Sequence, residues 1–164
     1  MISLLLTLLA AEPARTTVSL QTLPLLAGGL GIQAEQSTQS LRWSFALGLG
    51  ARASAAPGSD FTALNLSLGL EARRWWHVGP FSSSMVGAVG GPFAWLRTDL
   101  VYVHLAKLNG ELVGSAVHPG ISTGLGYRLL LGWRFEVTPS LGVAFDPTAR
   151  RFTGSLGLTV GVML

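Results

Sequence analysis

From residue 41 the chain alternates with a period of two. Leu41, Trp43, Phe45, Leu47, Leu49 and Ala51 hold one phase, and Arg42, Ser44, Ala46, Gly48, Gly50 and Arg52 hold the other. Successive side chains of a β-strand point to opposite faces, so this segment predicts a strand with one apolar face and one small or polar face. The pattern recurs from Thr62, with Leu64, Leu66, Leu68, Leu70 and Ala72 opposed to Ala63, Asn65, Ser67, Gly69, Glu71 and Arg73. Residues 133 to 146 set Trp133, Phe135, Val137, Leu141, Val143 and Phe145 against Arg134, Glu136, Thr138, Ser140, Gly142 and Asp146. The closing segment sets Phe152, Leu156, Leu158, Val160, Val162 and Leu164 against Arg151, Thr153, Ser155, Gly157, Thr159 and Gly161. Each is close to or above the ~9 to 11 residues with which a tilted strand crosses a bilayer.

Weaker alternation fills residues 17 to 35, 82 to 90, 93 to 107 and 111 to 131. With turn chemistry at Ala55-Ala56-Pro57-Gly58, Asn109-Gly110, Gly132 and Pro147-Thr148, the reading is a meander of about eight antiparallel strands. The fold class is therefore all-β, a closed up-and-down barrel. The two uncharged stretches long enough to be tested as membrane helices, 16 to 34 and 75 to 96, are broken by Pro24, Gly28-Gly29, Gly79-Pro80 and Gly90-Gly91-Pro92.

Alternation alone fits a soluble lipocalin-like barrel with its apolar face inward as well as a membrane barrel with that face outward. Composition separates the two. Charged residues make up 12% of the chain and hydrophobic ones 49%, and the second face is mostly Gly, Ser, Thr and Ala. That face is too poor in charge for a water-exposed exterior and small enough to line a narrow interior. The 11 basic residues include one lysine, Lys107, and are scattered, which argues against a nucleic-acid partner. No cysteine is present to form a disulfide or a thiolate metal site. The run Met1-Ile-Ser-Leu-Leu-Leu-Thr-Leu-Leu-Ala-Ala11 reads as a secretory signal, with residues 12 to 164 forming the barrel and the product exported through the periplasm to the cell outer membrane.

Interfacial aromatics should gather at strand ends. The meander places Trp43, Trp75, Phe145 and Phe152 at one set of ends and Phe61, Trp95, Tyr127 and Trp133 at the other. The chain thereby resembles the small outer-membrane barrels of the OmpA and OmpX type over residues 17 to 164, with a last strand, Arg151 to Leu164, that runs to the end of the sequence. The resemblance implies outer-membrane lipids and lipopolysaccharide as surroundings and the barrel-assembly machinery as a partner in biogenesis. In that family the last residue is typically aromatic, and Leu164 departs from this.

No catalytic, cofactor or metal site is expected. His77, His104 and His118 lack ligand spacing, and His77 with Ser82 to Ser84, or His118 with Ser122, are the sole candidates for a lipid-modifying site at a rim. Gly29-Leu-Gly31-Ile-Gln-Ala34 has the form of a dinucleotide fingerprint but not its helix or acidic residue. The expected role is structural, with side chains filling the interior and no open channel; an envelope enzyme or an adhesion barrel is the alternative. Hairpin arithmetic places three ion pairs inside, Arg42 with Glu71, Arg128 with Glu136, and Asp146 with Arg151. It also sets Arg74 and Arg150 on the outward face at the extracellular ends, where lipopolysaccharide phosphates would lie.

Overall fold

The computed structural model describes residues 16–22, 29–38, 42–55, 60–76, 83–85, 88–131 and 134–164. The expected signal segment, His77, Ser82 and Trp133 fall outside them. The described strands are β1 (Thr16–Gln21), β2 (Gly29–Ser37), β3 (Trp43–Ala55), β4 (Phe61–Trp75), β5 (Ser83–Met85), β6 (Ala88–Lys107), β7 (Leu112–Leu131), β8 (Phe135–Asp146) and β9 (Arg151–Met163). All pairings are antiparallel. Pairing of β4 with β6 and of β1 with β9 closes eight of these strands into an up-and-down barrel. The short β5 pairs only with the start of β6 and is not part of the wall.

Two sequence expectations are corrected, and their errors cancel in the count. Residues 17 to 35 form two strands, β1 and β2, with Thr16 opposite Gln36 and Gln21 opposite Gly31. Residues 82 to 90 supply no wall strand of their own, because β6 runs unbroken from Ala88 through Gly91 and Pro92. Gly91 makes this passage possible with a φ of 119°, in the region closed to most side-chain-bearing residues.

The faces follow the alternation. Val18, Ile32, Phe45, Leu66, Leu100, Leu125, Leu141 and Leu156, one from each wall strand, all lie exposed on the outside. Of the described outward positions named for the strongest strands, Leu66 is 44% and Leu156 78% exposed, and Ala72, Val137, Phe145 and Leu158 are partly covered. Burying the apolar face inward, as a lipocalin-like barrel requires, does not occur.

The register also fixes the two rims. Thr16, Leu164 and the ends of the β2–β3 and β7–β8 connections lie at one end, here the terminal rim, since Leu164 N–H donates to Thr16 and Met163 N–H to Arg134. The β3–β4, β6–β7 and β8–β9 connections lie at the other, the distal rim. There β7 projects past β8, which pairs with it only from Ile121 onward, so one edge of Leu112–Gly120 has no described strand beside it. Between β7 and β8 the ladder is interrupted where Pro139, which has no N–H to donate, stands between Val137 and Ser140.

Candidate functional site: the charged interior

Inside the terminal half of the barrel a network of charges ties opposite walls together. Glu35 on β2 is its centre. Its Oε2 accepts from Arg73 Nη1 on β4 at 2.5 Å and from Arg128 Nη2 on β7. Arg73 also donates through Nε to Glu71 at 2.5 Å and through Nη2 to Gln33 at 3.3 Å. Arg128 Nε stands 2.8 Å from Glu136 Oε2 on β8, an ion pair whose N–H is not aligned for a hydrogen bond. Arg97 on β6 extends the chain of charges, 2.7 Å from Asp99 and 3.8 Å from Glu71. Three cations thus face four carboxylates, and Arg128 is 1% exposed. A charge this deep is tolerable only with opposite charges and hydrogen bonds around it.

Aromatic rings close the same layer. Trp75 is 2% exposed, its indole N–H donates to Ser44 Oγ at 2.9 Å, and its ring lies 4.6 Å from that of Phe93. The Arg128 guanidinium stacks over Trp75 at 4.5 Å and that of Arg73 over Phe93 at 5.1 Å, so each cation has a π face as well as a carboxylate. Room for these rings comes from glycine. A Cβ at Gly126 would collide with the Phe93 ring, and one at Gly142 would stand 2.7 Å from Trp95. On the distal side of the network lies a cavity of about 290 Å³ walled by Gln33, Arg97, Asp99, Thr138 and Ser155 among others.

The positions predicted from sequence are distributed as follows. Arg128 and Glu136 meet inside, although Leu130, not Arg128, is the register partner of Glu136. Asp146 and Arg151 are register partners at the distal rim, where Arg151 is exposed. The Asp146 carboxylate caps the β8–β9 turn, and the N–H groups of Ala149 and Thr148 hold it below the ordinary carboxylate range. Arg42 does not meet Glu71. The β3–β4 ladder pairs Ala46 with Glu71, four residues from the predicted register, and leaves Arg42 exposed at the terminal rim. A tight turn at Pro57 underlies the predicted offset, whereas the observed connection runs to Asp60.

Arg74 and Arg150 do not share a rim. Arg74 lies opposite Trp43 at the terminal end and Arg150 lies in the distal β8–β9 turn, because splitting residues 17 to 35 into two strands reverses β3 and β4. The predicted aromatic belts change for the same reason. Trp43 and Trp75 sit at the terminal end, Phe145 and Phe152 at the distal end, and Trp75 and Trp95 point inward and are buried. Sequence reasoning missed Glu35, Arg73, Arg97 and Asp99 as site residues; the alternation of Gly31, Gln33 and Glu35 against Leu30, Ile32 and Ala34 was the signal for the first. His118 and Ser122 share the inward phase of β7 but stand four residues apart, about 13 Å along a strand, too far for proton transfer.

An eight-stranded meander closed on itself, apolar outside and ionic inside, is the architecture of small outer-membrane barrels. No family model matches the chain, and no curated protein matches it. Among solved structures it is similar to the N-terminal β-barrel domain of OprF from Pseudomonas aeruginosa, at 15% identity, with a TM-score of 0.53, covering 93% of this chain and all of that domain. At that identity the shared property is the fold.

Proposed function

We propose that this protein is an integral outer-membrane barrel with a structural, membrane-stabilising role and no open channel. The observation that carries the proposal is the pairing of an apolar exterior on every wall strand with an interior crossed by the Glu35–Arg73–Arg128–Glu136 network. Lipid accepts the first, and charged and aromatic side chains set across a narrow interior favour a sealed barrel. Export, insertion by the barrel-assembly machinery, and contact of Arg150 with lipopolysaccharide phosphates at the distal rim belong to this reading; Arg74 leaves that site. Single-channel recording on the full chain in planar bilayers tests it. Silent bilayers that nonetheless contain folded barrel are expected, and a steady open conductance would overturn the sealed interior.

The unpartnered edge of β7 favours a second reading, an adhesion or binding barrel. Leu112, Val113 and Val117 are exposed there, and Leu112–Gly120 carries no Asp, Glu, Lys or Arg, with Pro119 its one edge-blocking residue. An extended peptide could add to it as a further strand. Binding that is abolished by Val113→Pro and Ala116→Pro would support this role, and unchanged binding would remove it.

A further inference from the structure

The terminal rim differs from the distal one in its charge. Among the described residues its exposed or half-exposed charged side chains are Arg42, Arg74 and Arg134, and it holds no exposed carboxylate side chain, since Glu35 and Glu136 are buried in the interior network. The distal rim is mixed. There Lys107 pairs with Glu111 at 2.7 Å, and Asp60 and Asp146 accompany Arg52, Arg150 and Arg151.

The terminal arginines are also placed for an interface. Arg74 is outward, and its guanidinium stacks on exposed Trp43 at 5.1 Å; Trp76 is exposed one turn of the ladder away. Arg42 adjoins this pair, its carbonyl accepting from Trp75 N–H at 2.9 Å, while Arg134 stands across the barrel beside β9. Indole rings at the edge of an apolar belt, with arginines just beyond it, match the boundary between acyl chains and headgroups.

We propose that this rim is a collar for anionic phospholipid headgroups, with Arg42, Arg74 and Arg134 contacting phosphate and Trp43 and Trp76 fixing the depth. The inference rests on the membrane reading above. It assigns the terminal end to a leaflet of anionic phospholipid and leaves the distal end to the opposite leaflet. Guanidinium suits the task because its fork binds phosphate oxygens in pairs.

The full chain is reconstituted into phosphatidylcholine vesicles with and without phosphatidylglycerol. Insertion is read from gel mobility without heating, and retained lipid by native mass spectrometry. The wild type is expected to insert in both and to retain phosphatidylglycerol preferentially, with the preference weakening at high salt. Each arginine near the surface changes such a partition by about fivefold, so Arg42→Gln, Arg74→Gln and Arg134→Gln together should lower the preference at least ~10-fold. The same three positions changed to lysine should keep most of it. A distal control, Arg52→Gln, Arg150→Gln and Arg151→Gln, should leave it largely intact. Equal retention of both lipids by the wild type, or an equal loss in the distal control, would overturn the collar. Absence of insertion into either vesicle would instead overturn the membrane reading.

Discussion

Replacing Arg128 by methionine removes the cation shared by Glu35 and Glu136 while keeping most of the side-chain volume. Glu35 retains Arg73 at 2.5 Å, but Glu136, 1% exposed, loses the guanidinium that lies 2.8 Å from its Oε2. Breaking a buried pair from one side costs about 3 to 5 kcal/mol, because the surviving charge stays desolvated. Loss of the guanidinium from the face of Trp75, 4.5 Å away, adds to the same side of the balance. The folding equilibrium should therefore fall by on the order of a hundred- to several-thousand-fold. Urea titration of the reconstituted barrel, followed by tryptophan fluorescence and by unheated gel mobility, reads the change. The double variant Arg128→Met with Glu136→Gln should recover much of the loss, since it removes the orphaned charge along with its partner. A single variant within about 0.5 kcal/mol of wild type, a shift typical of a neutral surface change, would show that the network does not carry the interior.

Leu66→Arg places a charge on the exposed face in the middle of β4 and should cost about 2 to 4 kcal/mol in a bilayer, visible as reduced insertion; normal insertion would contradict a lipid-facing exterior. Gly126→Val drives a side chain into the Phe93 ring and should destabilise by about 1 to 3 kcal/mol through overpacking, whereas Gly114→Val, at a position with nothing near its Cβ, should be close to neutral in the same denaturation assay. Introducing cysteines at Ala149, exposed in the distal β8–β9 turn, and at Ser37 should give opposite labelling by a membrane-impermeant thiol reagent in intact cells, with only the distal Ala149 side accessible; the reverse result would invert the orientation.

Faces were legible in the sequence where a strand's phase is fixed by bulky residues. Phe45, Leu66, Phe135 and Leu156 stand outside because alternation leaves each strand only two choices and composition decides between them. The connection between β1 and β2 was not legible for a related reason. Val18 and Leu20 share their even phase with Leu30, Ile32 and Ala34, so a hairpin between them leaves the pattern looking like one long strand. Gly90-Gly91-Pro92 misled in the opposite direction, carrying turn chemistry through the interior of a strand end. From that pair of errors followed the misplaced rim of Arg74. The centre of the site, Glu35, was hidden because its partners Arg73 and Arg128 lie 38 and 93 residues away, a distance over which turn lengths must all be known before register can be counted.

The apolar face of this barrel is expected to meet lipid. Cells expressing the full chain are fractionated, and the outer-membrane fraction is run by electrophoresis with and without boiling. Recovery in that fraction is expected, with a compact, faster band when unheated that converts to the unfolded position on boiling. Recovery of folded protein in the soluble fraction would contradict it.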